Sequence, residues 1–172
     1  MITKIVTEAT EFRGFDGKGW TCDQCGEIIE KARDGWVEWF RGISPRKIGE
    51  GLRLVHHLSA SPRKAYGTGC QYDGHDRAYW NQNLALNDLP LANMVGPNGL
   101  MRLLALLAQD CLPKAEVLEM IKRLHVPGYE SARLYMDEAR SQGVYEPNTF
   151  EGKYPFQSDI EGINEWAANR DE

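Results

Sequence analysis

The stretch "TCDQCGEIIEKARDGWVEWF" (residues 21–40) carries two signals side by side. The first is a Cys-x-x-Cys-Gly knuckle at Cys22, Cys25 and Gly26. Two thiolates one tight turn apart, followed by a glycine that lets the backbone curl, form half of a tetrahedral metal site. The second begins at the turn-forming pair Asp34–Gly35. After it "GWVEWFR" alternates, with Trp36, Glu38 and Phe40 on one face and Val37, Trp39 and Arg41 on the other. Alternation with period two after a turn signal is the mark of a β-strand. A knuckle feeding a strand predicts a small β module whose core is supplemented by a metal.

A half-site needs two more ligands, and "LRLVHHLSASPRKAYGTGCQYDGH" (residues 52–75) offers His56, His57, Cys70 and His75. "GLRLVHH" reads as a second strand, and adjacent strand residues point to opposite faces. His56 shares the more apolar face with Leu52 and Leu54, so it is expected to reach inward. His57 shares the other with Arg53 and Val55 and is expected to lean outward. The favoured set is Cys22, Cys25, His56 and Cys70 around a structural Zn²⁺, with His57 the runner-up to His56 and His75 to Cys70. A thioredoxin-like redox role for the knuckle fits poorly, since no strand leads into it and no βαβ pattern surrounds it. Cys111 sits among helix leucines and reads as a small core residue.

The chain has 172 residues, 42% hydrophobic and 26% charged, enough to bury a core. No run is long and apolar enough for a membrane span, and "MITKIVTEATEF" contains no signal-peptide core, so a cytoplasmic protein is expected. The net charge of −5 is unevenly spread. Residues 41–64 carry Arg41, Arg46, Lys47, Arg53, Arg63 and Lys64 against Glu50 alone, a segment able to attract phosphate. Arg46, Lys47, Arg63 and Lys64 are the expected phosphate contacts.

Residues 60–98 are rich in Gly, Pro, Asn and Asp and read as loop. Beyond them the texture becomes helical. "GPNGLMRLLALLAQDCL" places Leu100, Leu103, Leu104 and Leu107 at helical spacing after a Pro-Asn-Gly turn. Pro113 is placed to open "KAEVLEMIKRLHV", with Val117, Leu118, Ile121 and Leu124 as its apolar stripe. "ESARLYMDEARSQG" is expected to be a third helix ending at Gly143, and "VYEPNTF" an extended segment. Ser158 and Glu161 fit a capping box before a last helix with Ile160, Ile163 and Trp166 inward. Tyr154, Phe156 and Trp166 are expected to pin the tail.

Two resemblances follow from these motifs. "CDQCGEIIEKARDGWVEWF…LRLVHH…CQYD" resembles a zinc-ribbon-like module of poorly characterised bacterial and phage proteins, over roughly residues 20–75. That resemblance implies metal binding and no activity. The knuckle before a strand ending in a double histidine also resembles the HNH nucleases. There His57 would be the general base, His56 a metal ligand, and Asn83 of "YWNQNLAL" the group that fixes the catalytic histidine. The nuclease pattern normally closes with a second CxxC and a terminal histidine on the next helix, and neither follows Asn83. "AEVLEMIKRLHVPGYESARLYMDEARSQGVYEPN" resembles helices two and three of a winged helix-turn-helix entering its wing. Its last helix is net acidic through Glu130, Asp137 and Glu138, which suits a phosphate-lined groove badly.

The expected fold is therefore α+β: a zinc-stabilised β module, residues 1–95, before a compact winged-helix-like bundle, residues 96–172. The expected function is non-enzymatic: a regulatory or adaptor protein binding a nucleic acid or a macromolecular assembly. A divergent HNH-like nuclease using His57 and Asn83 is the alternative.

Overall fold

The computed structural model describes residues 9–44, 47–146 and 155–170. Contacts divide the chain into two units, residues 1–125 and 126–172. In the first, β1 (Trp20–Thr21) and β2 (Ile28–Ile29) form a short antiparallel ladder around the knuckle. Strands β3 (Gly35–Gly42), β4 (Glu50–His56) and β5 (Leu84–Pro90) make an antiparallel sheet in the order β4-β3-β5. Helix α1 (Arg77–Asn81) precedes β5, and α2 (Gly96–Gln109) and α3 (Lys114–His125) follow it.

The predicted strand over 35–41 becomes the central one, and that explains its composition. Val37 and Trp39 join the main core with Leu52, Leu54, Leu103, Val117, Met120 and Leu124. The opposite face is covered too. Glu38 is fully buried, and the Phe40 ring stacks on Tyr79 and leans on Tyr72. The buried carboxylate is answered by its cross-strand partner: Arg53 Nε donates to Glu38 Oε1 at 2.8 Å, and the Tyr72 backbone N–H donates to the same carboxylate. Burial pushes the Glu38 carboxyl above its ordinary range, and Arg53 and Tyr72 pull it back. The β3–β4 register slips after Glu38, where Gly51, at φ +74°, supplies the left-handed residue of a bulge.

β5 lies inside the stretch read as loop. "LALNDLP" has the Asn, Asp and Pro of a turn, yet it is an edge strand, where polar residues and a terminal proline are tolerated. Helix α2 begins at Gly96, so Pro97, Asn98 and Gly99 lie in its first turn rather than before it. In α3 the buried face is Val117, Met120, Arg123 and Leu124, rotated from the expected stripe, and Leu118 is exposed.

The second unit holds α4 (Tyr129–Ala132), α5 (Met136–Ser141) and α6 (Gln157–Ala168) around Tyr129, Ala132, Ala139, Ile160 and Ile163. The single helix expected over 130–142 is two, separated at Arg133–Tyr135. Gly143, at φ +70°, does end the second. The cap of the last helix is Phe156, two residues before the expected Ser158, and Asp159 rather than Glu161 makes the reach-back bond, accepting from the Phe156 N–H at 2.7 Å. Trp166 packs on this core while Phe156 is exposed. Val144–Glu146 carry no strand, and the rest of the expected extended segment, with Tyr154, lies outside the described residues.

The textural boundary at 95/96 and the packing boundary at 125/126 are therefore different things. α2 and α3, grouped by sequence with the helical half, complete the core of the cysteine-bearing one.

Candidate metal centre

The knuckle is the loop that β1 and β2 hold together. The Cys22 N–H donates to the Glu27 carbonyl and the Gly26 N–H to the Cys22 carbonyl, both at 2.9 Å. Gly26 sits at φ +79°, a conformation that favours glycine. The loop also pairs with the open edge of β4. The Asp23 N–H donates to the Leu54 carbonyl, and the Leu54 N–H donates to the Asp23 carboxylate at 2.7 Å.

A residue a hundred positions away closes this arrangement. Arg123, on the buried face of α3, donates from Nη1 to both Asp23 oxygens, at 2.9 and 2.7 Å. Its Nη2 donates to the Thr21 carbonyl at 2.8 Å. The same helix caps a second group on the β4 edge, where the Leu52 N–H donates to Glu116 Oε2 at 2.8 Å. Edge groups that would otherwise be open for pairing are thus taken by two carboxylates.

His56 ends β4 on the face of Leu54, as expected, and opposes Gly35 across the sheet. Its Nε2–H donates to the Ile28 carbonyl at 3.3 Å. A carbonyl can only accept, so the proton is on Nε2 and the Nδ1 lone pair is free to point at Cys25 Sγ, 3.5 Å away. Cys70 arrives from the loop after β4 and is fully buried. Ser61 Oγ lies 3.1 Å from its sulfur, within hydrogen-bonding distance, and accepts from the Arg63 N–H.

The donor atoms of Cys22, Cys25, His56 and Cys70 all lie within 4.8 Å of one another. A tetrahedral zinc site with Zn–S near 2.3 Å and Zn–N near 2.05 Å has S···N edges of about 3.6 Å and S···S edges of about 3.8 Å. The Cys25–His56 separation already has that length. Burial pushes the Cys25 thiol up to about 12; the neighbouring Cys22 and Cys70 add to it, and a backbone hydrogen bond from Glu27 opposes it. A divalent cation held by these side chains would reverse that balance and favour the thiolate form.

The runners-up fall away on geometry. His57 lies past the end of β4 and caps a 3-10 turn (Leu58–Ala60), with Nδ1 2.7 Å from Ser59 Oγ and its ring against Trp36. His75 is exposed and lines a different cavity. Asn83 is at the far end of the sheet. His56 opposes Gly35, while Leu84 opposes Gly42. β3 is eight residues long, so these ends lie about 23 Å apart. Asn83 is a turn residue at φ +58°, its carbonyl accepting from the Ile43 N–H. The structure does not bring His57 and Asn83 together.

The basic segment is dispersed by the same register. Lys47 packs at the Gly42 end and lies 3.9 Å from Glu50. Arg53 is committed to Glu38, Gln24 and the Cys70 carbonyl. Arg63 and Lys64 are exposed beside the metal centre, and Arg46 lies outside the described residues. Sequence reasoning missed Asp23, Ser61 and Arg123. Asp23 could have been noticed as a carboxylate inside the knuckle, whereas Arg123 left no local signal.

No family model, curated protein or solved structure matches the chain. No helix among the described residues is long and apolar enough to cross a membrane.

Proposed function

We propose that Cys22, Cys25, His56 and Cys70 hold one structural Zn²⁺, and that the protein is a non-enzymatic nucleic-acid-binding protein, regulatory or adaptor in role. The observation that carries the metal reading is the closed set of four donors. Three thiolates and an imidazole suit zinc, and four protein ligands leave no position for water or substrate, as in structural rather than catalytic sites. The Ile28 carbonyl and the Ser61 hydroxyl orient and polarise the ligands, as outer partners do in metal sites.

The binding reading rests on the loop that the metal centre anchors. From His57 to Tyr72 there is no acidic residue. The loop presents Arg63 and Lys64 to solvent together with Tyr66, a residue 75% exposed. Cations flanking an exposed aromatic ring suit a single strand, with phosphates neutralised and a base stacked. Its two ends are fixed by His56 and Cys70, so metal binding pre-organises the surface.

Elemental mass spectrometry of the purified protein is expected to give one zinc per chain. Fluorescence anisotropy with single-stranded DNA and RNA oligonucleotides is expected to show binding that weakens as salt rises. The double substitution Arg63→Glu, Lys64→Glu should weaken it by tenfold or more, at unchanged zinc content, on the order of two lost phosphate contacts. Binding that ignores both salt and the charge reversal defeats the nucleic-acid reading, and absence of metal defeats the zinc reading.

A further inference from the structure

The face of the sheet that carries Glu38 and Phe40 opens into a cavity of about 420 Å³. Its walls include Phe40, Tyr79, Trp80 and Leu86, and two carboxylates, Asp73 and Asp88, stand in its lining. From these observations we propose that this cavity is a binding site for a methylated ammonium group. The proposal is independent of the zinc and nucleic-acid readings.

Three features converge on that chemistry. First, the aromatic surface is organised: Phe40 and Tyr79 stack at 3.9 Å, and Tyr72 packs edge-on to Tyr79 behind them. Trp80, next along α1, is 60% exposed and lines the cavity. Second, this aromatic group already receives a cation from within, since the Arg53 guanidinium lies 3.3 Å from the Tyr72 ring centre. Third, the charge is one-sided. No Lys or Arg among the described residues lines the cavity, His75 being the one basic side chain named in its lining; Asp88 has no ion-pair partner among the described residues, and the Asp73 carboxylate accepts from the His75 backbone N–H.

Aromatic faces attract cations through their quadrupole, and indole does so best. The preferred guest is a cation that sheds its water at little cost. An N-methylated ammonium meets that condition, whereas a primary ammonium is strongly hydrated. A metal ion does not fit. Among the described residues the only group of three or more ligating side chains within reach of one ion is the cysteine–histidine set. Asp73 and Asp88 would neutralise the charge at the rim and the rings would cover the methyl groups.

The test is an NMR and tryptophan-fluorescence titration of the full-length protein. The probes are choline, the neutral isostere 3,3-dimethylbutan-1-ol, and short peptides bearing trimethyl-lysine or unmodified lysine. Saturable shifts of Trp80 and Tyr79 are expected with choline or the trimethyl-lysine peptide, and binding about tenfold or more weaker for the isostere and for lysine. Trp80→Ala should reduce affinity by a similar factor. Asp88→Asn, an exposed and nearly isosteric change that preserves the fold, should weaken the cation and leave the isostere unaffected. A peptide that binds more tightly than choline identifies a side chain as the source of the group; equal binding identifies a free small molecule. The proposal is overturned if neither methylated probe gives a saturable shift, or if the isostere binds as well as choline.

Discussion

Individual side chains in the first unit are placed by what they can hydrogen-bond once water is removed. His125, at the end of α3, donates from Nε2 to the Met94 carbonyl at 3.0 Å. Burial lowers its pKa from the ordinary 6.5, and the bond to Met94 opposes this only in part. The folded protein therefore binds this proton less readily than the unfolded chain. Stability from this group is fully present above about 6.5 and is lost as pH falls through the lower folded value. His125→Gln keeps a donor for Met94 and cannot titrate. Urea denaturation between pH 7 and 5 should show a shallower acid loss for the variant than for the wild type; identical slopes would show that His125 does not set the acid sensitivity.

At the scale of elements, α3 is the clasp of the knuckle that carries Cys22 and Cys25. Its Arg123 carries the bidentate bond to Asp23, with its side chain only 4% exposed. Removing one member of a fully buried pair typically costs about 3–5 kcal/mol, and the Asp23 side chain, 27% exposed, regains part of its solvation. Asp23 keeps its bond from the Leu54 N–H, so the lower end of that range is expected for Arg123→Met. The knuckle should also loosen, and zinc transfer to a chelating dye should be several-fold faster than in the wild type. A variant with unchanged stability and unchanged zinc release would show that the clasp is ornamental to the metal centre. Hydrogen exchange at Leu52 and Leu54 would report the same loosening, because Glu116 and Asp23 cap those amides.

For the whole molecule, the division of the core decides what can fold alone. Leu103, Val117, Met120 and Leu124 belong to the same cluster as Trp20, Val37 and Leu54, whereas Tyr129, Ile160 and Ile163 belong to another. A fragment of residues 1–125 should fold and hold one zinc. A fragment of residues 1–95 lacks α2, α3 and Arg123 and exposes the apolar face of β3 and β4, so it should aggregate or remain unfolded even with zinc present. Circular dichroism and zinc stoichiometry on the two fragments check this; a folded 1–95 fragment would make the textural boundary a structural one as well.

Much of the Cys22, Cys25, His56 and Cys70 cluster was legible in the chain because its determinants are local. The knuckle needs only two cysteines and a glycine at fixed spacing, and strand parity separated His56 from His57 before any contact was known. Strand β3 announced itself through alternation, and α2 and α3 through their leucine spacing. What the sequence could not supply were pairings between distant segments. β5 has the composition of a loop and becomes a strand only because the free edge of β3 offers it hydrogen-bonding partners. Arg123 looks like any helix-surface cation until α3 rotates it against Asp23. The basic segment is continuous along the chain and divided in space, since the antiparallel register sends Lys47 and Arg63 to opposite ends of one sheet. Spacing along the chain determines local geometry, and the tertiary structure decides which distant polar groups meet, because each buried donor and acceptor takes whatever partner the packing brings to it.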